Sequence, residues 1–444
     1  MINLFRNLYL TNHFFLAGAA TVAFFVFGFL FPVVFPIAQI VLIALIAFFV
    51  LDIILLFRPS AQVLCKRTVG KMFSLGNENP VRLDIINHSA QQLKITIIDE
   101  IPFQFQKRDM RMRFVLKSGE KQSLGYNLRP VIRGEYVFNN INIFGQTQFG
   151  LVQRRFVKET REMIKVYPSV IDMKKYELLA MAKISIYQGV KKIRRLGHSY
   201  EFEQIKNYVQ GDDFRSINWK ATGRKAELMV NQYEDERSQQ VYSLIDKSRT
   251  MRMPFNGLSL LDYSINASLV ISNIALKKHD KSGLLTFSDK IGSSIKADRG
   301  QKQLRMILEA LYNEEERKME ANYELMYNAV RNLVRGRSLI FFYTNFESLY
   351  AVERVLPLLR RINSTHLLVV IFFENTEVKD FSTSAAKDVE EIYLKTIAQK
   401  FVSEKNQVVQ LLRQYGIQSI LTRPEDLSIN TVNKYLELKA RGMI

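Results

Sequence analysis

The chain has 444 residues, 48% of them hydrophobic, and 62 Lys and Arg against 43 Asp and Glu give a formal net charge of +19. That length supports two or three domains, each with its own core. The lone cysteine, Cys65, excludes an intramolecular disulfide and a cysteine-built zinc site, and the histidines (His13, His88, His198, His279, His366) are too scattered for a local metal motif.

From Phe14 to Leu51 there is no charged side chain. Phe14 to Phe31 is long enough to cross a membrane as a helix. Pro32 and Pro36 break it, and Val33 to Leu51 forms a second apolar run closed by Asp52 and Arg58. The pattern predicts a transmembrane helical hairpin over residues 1–57. A cleaved signal peptide does not fit, because a second span follows with no small-residue cleavage site between. Arg6 precedes the hairpin, and Arg58, Lys66, Arg67 and Lys71 follow it. The positive-inside rule then puts both ends in the cytoplasm.

Short alternating runs with turn signals occupy residues 58–170. Val81 to Ile86 precedes Asn87-His88-Ser89, Leu93 to Ile98 follows it, and Tyr136 to Phe144 follows Arg133-Gly134-Glu135. This spacing predicts a small all-β sandwich, with the role of spacer or docking module.

Residues 171–235 read as a linker and a tryptophan-containing motif. Ile171 to Gln188 has helical spacing with Leu178, Leu179 and Met181 as apolar candidates, and the basic run Lys191-Lys192-Ile193-Arg194-Arg195 follows. Next come Gly211-Asp212-Asp213-Phe214-Arg215-Ser216-Ile217-Asn218-Trp219-Lys220 and Arg224, holding the only tryptophan. Two readings compete. In the favoured one the block is structural: Trp219 packs on the next domain, and Arg215 pairs with the aspartates. In the other, the same charges form a docking surface. Asp212 and Asp213 make a poor catalytic pair, since neighbours on an extended chain point to opposite faces.

Residues 236–444 alternate strands and helices. Gln240 to Ile245, Gly283 to Phe287, Ser338 to Tyr343 and Leu367 to Phe373 read as strands. Leu258 to Leu276, the Leu304–Leu311 stretch, Leu325 to Leu333 and Lys387 to Gln414 read as helices. Apolar runs between helices imply a largely parallel sheet covered on both faces, with ligands beyond its carboxyl edge. There stands Asp246-Lys247-Ser248-Arg249-Thr250, a D-x-S-x-T sequence.

Several stretches together resemble the bacterial family known as domain of unknown function fifty-eight. They are Gly197 to Phe202, the tryptophan block, the Asp246 loop, Arg133-Gly134-Glu135-Tyr136, Phe149-Gly150-Leu151, Val166-Tyr167-Pro168, and the ending Pro424-Glu425-Asp426-Leu427 with Tyr435 to Gly442. Thr147-Gln148 stand where the family often has Asp-Pro. The resemblance implies a membrane-anchored protein whose α/β domain is of von Willebrand factor A type, paired with a MoxR-type AAA+ ATPase. It also implies a metal-ion-dependent adhesion site in which Asp246, Ser248 and Thr250 would hold Mg²⁺. Departures accompany it. Asn345, after Thr344, replaces a carboxylate, and the second loop reads Ala321-Asn322-Tyr323-Glu324. A degenerate site, in which Asp246 bonds loop amides, is the competing reading.

No phosphate-binding loop, nucleophile elbow or H-E-x-x-H motif is present. The expectation is a non-enzymatic scaffold or adaptor in the bacterial inner (cytoplasmic) membrane. Its soluble domains lie in the cytoplasm and bind the ATPase and client proteins. The rival is a basic module for the membrane surface or nucleic acid. For the charge of +19, attraction to anionic membrane lipids is the plainer explanation, and nucleic acid the lesser one.

Overall fold

The structure, a computed structural model, describes residues 6–58, 61–107, 110–187, 201–210, 212–234, 238–385 and 388–443. The chain divides into two compact units, Met1–Tyr167 and Pro168–Ile444. The hairpin and the β-rich region, expected to be separate domains meeting near residue 57, share the first unit.

In that unit the helices Asn12–Leu30 and Phe35–Phe57 are long and apolar enough to cross a membrane. At 19 and 23 residues they extend about 28 and 34 Å. They approach closely at Gly28, where a Cβ would meet Phe35 Cα at 3.0 Å. The second helix runs past Asp52 to Phe57, so the acid does not end the helix. Its buried carboxylate instead accepts from Leu151 N at 3.0 Å, from Val152 N at 2.8 Å and from the Thr147 hydroxyl.

Ahead of the first helix, Leu8–Leu10 pairs antiparallel with Val152–Lys158. The hairpin is thus inserted between strands of one β-rich body, and its two ends lie on the same side. That body has a five-stranded sheet in the order Leu8–Leu10, Val152–Lys158, Ile141–Gln146, Leu93–Asp99, Arg111–Leu116. Two three-stranded sheets accompany it: Val63–Val69, Asn79–Asn87, Lys121–Leu128, and Met72–Ser74, Glu162–Tyr167, Gly134–Phe138. Period-2 alternation puts Val63, Cys65, Leu83 and Ile85 against Ile95, Ile97 and Ile143. Leu56 joins this core, with Leu45, Phe49 and Ile53 packed on it. The β-rich region is therefore welded to the second helix, which a free spacer would not be. Arg67, one of the cations read as a topology signal, is buried on Asp99 at 2.5 Å.

The second unit is mixed α/β. Its six-stranded sheet comprises β1 (Gln240–Asp246), β2 (Lys281–Phe287), β3 (Ile291–Asp298), β4 (Leu339–Tyr343), β5 (Leu367–Phe373) and β6 (Gln418–Thr422). The spatial order is β3-β2-β1-β4-β5-β6, and every neighbouring pair is parallel except β2 with β3. All seven side chains of β5 are buried, as a strand covered on both faces requires. Helices Leu260–Lys277, Gln301–Tyr312 and Leu427–Ala440 contribute to the core of one face. Tyr323–Leu333, Leu349–Thr365 and Val389–Gln414 contribute to the other.

The helix Val170–Tyr187 belongs to this α/β body and is no linker. Ala180 is in its core with Met173 and Tyr176 packed against it, and Glu177 bonds Asn273 at 2.8 Å and Lys277 at 3.2 Å. Positions 173, 176, 177 and 180 share one helical face. The expected Leu178 and Leu179 lie off it and are exposed, Leu178 by 70%.

Candidate functional site

The strand order reverses between β1 and β4, so their carboxyl ends open a crevice at the sheet's topological switch point. Asp246 ends β1 and is fully buried. Its Oδ1 accepts from Ser248 N at 2.9 Å, and its Oδ2 from Thr344 Oγ1, just beyond β4, at 2.8 Å. Burial raises its pKa above the usual carboxylate value, against the opposing pull of the Ser248 and Thr344 hydrogen bonds. Ser248 Oγ and Thr250 Oγ1 lie 3.1 Å apart. With Tyr323 and Asn345 they line a cavity of about 80 Å³.

Mg²⁺ needs about six oxygen ligands, usually with carboxylate among them. Here the single carboxylate already accepts two hydrogen bonds. Asn345 Oδ1 accepts from the Lys405 ammonium at 2.9 Å, and its Nδ2 donates to Thr250 O at 3.3 Å. In the second loop, Asn322 is spent capping the helix Tyr323–Leu333, accepting from Leu325 N at 3.0 Å. Tyr323 stacks on Phe346. Among the described residues no group of three His, Cys, Asp or Glu side chains is placed to hold a metal ion. This donor set does not fit a divalent cation: an ammonium sits on the oxygen that a metal site would recruit. The arrangement agrees with the degenerate reading, in which Asp246 bonds a loop amide.

The two cations of the loop are matched locally. Lys247 is held by Glu314 at 2.5 Å, and Arg249 faces Glu320 at 3.3 Å and Glu347 at 3.6 Å. Glu314 also accepts from Thr286 Oγ1 at 2.7 Å and Ser293 N at 3.1 Å. Burial pushes its pKa up, but these partners outweigh it and the net displacement is downward.

Beside the small cavity, a larger one of about 410 Å³ lies at the ends of β4, β5 and β6. Phe255, Leu260, Phe373, Val378, Phe401 and Leu421 give it apolar walls. Asn345 and Lys405 line it as well. The Lys405 ammonium also donates to Phe346 O. Burial pushes it down to about 8, against the opposing charge of Glu347. Sequence reasoning missed Lys405, which sits in a helix of mixed charge 60 residues from Asn345.

The tryptophan block is carried by an antiparallel hairpin, Glu201–Asn207 with Met229–Glu234. Asp212 accepts from Lys206 Nζ at 2.9 Å and Val209 N at 3.0 Å, and those bonds, Lys206 first, lower its pKa. Asp213 accepts from Arg215 N at 3.0 Å. Asn218 caps the short helix Trp219–Lys225 by accepting from Ala221 N at 3.0 Å, and donates to Asn231 at 2.8 Å. These polar side chains satisfy backbone donors of tight turns, so the block keeps its shape without burying the indole. Trp219 is 72% exposed and Phe214 75%, and Arg215, Lys220 and Arg224 are exposed beside them. The expectation that Trp219 packs on the next domain is therefore wrong. Gly211 and the run Lys191, Lys192, Arg194, Arg195 lie outside the described residues.

Residues 204–387 match the family described as "Protein of unknown function DUF58". That stretch holds the tryptophan block, the Asp246 loop and Thr344-Asn345. The "Uncharacterized protein YeaD" of Bacillus subtilis (strain 168) is 26% identical over 125 residues, covering 28% of this chain and 31% of that protein. The match thus spans about a third of that relative's length. Among solved structures, the ASH/PapD-like domain of human CEP192 aligns with a TM-score of 0.19 at 13% identity, covering 25% of this chain and 89% of that one. The CARDB domain of PF1109 from Pyrococcus furiosus aligns with a TM-score of 0.17 at 10% identity, covering 23% and 93%. Scores this low carry no argument about fold or function.

Proposed function

With residues 204–387 a DUF58 segment, we propose that this chain is a membrane-anchored, non-enzymatic adaptor that binds partner proteins through its exposed tryptophan hairpin. The two apolar helices anchor it in the bacterial cytoplasmic membrane with both soluble units on the cytoplasmic side. The α/β unit is of von Willebrand A type, a reading supported by its β3-β2-β1-β4-β5-β6 order and by D-x-S-x-T at the end of β1. The partner class is a MoxR-type AAA+ ATPase, and the pair serves assembly or maturation of other complexes.

One observation carries the reading. Trp219 and Phe214 stand in water while Asp212, Asp213 and Asn218 are used up holding the turns beneath them. A large aromatic side chain on a stiff turn, ringed by arginine and lysine, has the make-up of an interface hot spot. It loses little entropy on binding, because the turn is already ordered.

The test is to purify the tagged protein gently from its native membranes and identify what accompanies it, beside Trp219→Ala. Recovery of an AAA+ ATPase that the variant loses, at unchanged thermal stability, supports the proposal. An equal yield of the ATPase from the variant removes the hairpin from the interface. Recovery of nucleic acid or lipid alone, released by salt, favours the electrostatic rival.

A further inference from the structure

We propose that the cavity of about 410 Å³ at the carboxyl edge of the sheet binds an apolar carboxylate, with Lys405 as the group that recognises the acid. The inference goes beyond the adaptor reading and stands or falls without it.

Two features point to that ligand. The cavity falls within the size range of small-molecule sites, and its walls are mainly aromatic and aliphatic. An apolar body of several carbons is what such walls exclude from water. The second feature is the charge set into them. An ammonium has three donors. Lys405 uses two, on Asn345 Oδ1 and Phe346 O, both neutral acceptors. Among the described residues no carboxylate makes an ion pair with it.

Three acids, Glu347, Glu374 and Glu377, also line the cavity, but none of them pairs with Lys405. Glu347 lies 3.6 Å from Arg249, Glu374 lies 2.6 Å from Lys379, and Glu377 is exposed at the rim. Beyond those acceptors Lys405 has the Phe372 ring at 5.8 Å and the charge of Glu347 without an ion pair, so an entering carboxylate would give it the direct anionic partner it lacks, through a charge-assisted bond. Two sources share this chemistry: a free aliphatic acid, and an acidic side chain flanked by apolar residues in a partner segment.

The experiment uses the full chain in lipid nanodiscs and reads dissociation constants by ligand-detected NMR for three probes. These are hexanoate, hexanamide, and the blocked tripeptide N-acetyl-Leu-Glu-Leu-amide. Wild type should prefer hexanoate over hexanamide by about tenfold or more. Lys405→Met should erase the preference, Lys405→Arg should keep part of it, and Val378→Trp, which fills the cavity with the lysine intact, should lose both hexyl probes. Tighter binding of the tripeptide than of hexanoate assigns the site to a partner's acidic side chain; the reverse assigns it to a free acid. Equal binding of hexanoate and hexanamide to wild type overturns the proposal. So does a preference that survives Lys405→Met or, should that variant not fold, binding that survives Val378→Trp. These probes report on the cavity alone, whereas Trp219→Ala reports on the adaptor surface, so either idea can fail without the other.

Discussion

Replacing Asp246 by asparagine should make the α/β unit more stable. The carboxylate is fully buried, and its pKa is raised above the ordinary 3.8 because burial outweighs its hydrogen bonds. Withdrawing an ion from water costs several kcal/mol, and bonds from Ser248 N and Thr344 Oγ1 to a charged oxygen return about 1.5–3 kcal/mol each. Asparagine keeps an oxygen for Ser248 N and presents its amide to the Thr344 hydroxyl, which then accepts. Its own desolvation is far smaller. The balance favours Asp246→Asn by about 1–2 kcal/mol, or roughly 2–4 °C in Tm for a unit of this size. The sign follows from the raised pKa. At pH values below 3.8 the acid is protonated folded or unfolded, and no penalty applies. As pH rises, the unfolded chain ionises first, so the penalty grows and is complete above the folded value. Thermal unfolding from about pH 3 to pH 8, with and without millimolar Mg²⁺, should show the variant's advantage smallest at the acid end and larger above 3.8, with no Mg²⁺ response in either protein. A wild type that gains several degrees with Mg²⁺ while the variant gains none would refute the electrostatic argument and restore a metal to the site.

Other substitutions test the remaining joints of the molecule. Asp52→Ala leaves the buried Leu151 and Val152 amides and the Thr147 hydroxyl without their acceptor. It should cost about 3 kcal/mol or more, seen as faster proteolysis of the β-rich region. Lys247→Met strands Glu314 and should cost about 3–5 kcal/mol, read as a fall in Tm. Because the pKa of Glu314 is lowered from 4.5, the advantage of wild type over Glu314→Gln should be full above that value and vanish as pH falls through the folded one. At Gly283 a Cβ would lie 2.3 Å from Tyr242 Cε1 and 2.9 Å from Ala297 N. Gly283→Ala should therefore cost about 1–3 kcal/mol by forcing β2 away from both neighbours, read as a lower Tm.

What the sequence disclosed and what it hid divide along a physical line. The apolar spans, the alternating strands and the buried strands of the second unit are local patterns, written in the period of hydrophobic residues. β3 is hard to read because it pairs at the edge of the sheet, and its Gly292-Ser293-Ser294 stretch, in which only Ser293 is half-buried, has little apolar alternation. A lone acid after an apolar run reads as the close of that run, and nothing nearby in sequence shows that Asp52 is a buried acceptor. Its partners stand 95 to 100 residues downstream, and only the folded β-rich region brings their amides to it.

The candidate site was half legible for a related reason. Residue type marks which side chains carry chemistry, but not whether they spend it on their own backbone. Asp212, Asp213, Asn218 and Asp246 each accept hydrogen bonds from amides a few residues away, and those bonds fix turns. Such groups are already satisfied, so a partner gains little from them. Trp219 and Phe214 are largely exposed, although Phe214 stacks on Tyr208, and the Lys405 ammonium has two neutral acceptors and no ion pair among the described residues. The polar residues of the recognisable motifs therefore build the surfaces, while binding falls to side chains whose surroundings leave them incomplete. The two chief experiments follow from that division. Altering Trp219 should change what the protein holds while leaving its stability nearly untouched, altering Lys405 should change the cavity's ligand at some cost in stability because Asn345 and Phe346 lose a donor, and altering Asp212, Asp213 or Asn218 should loosen the fold before it affects any ligand.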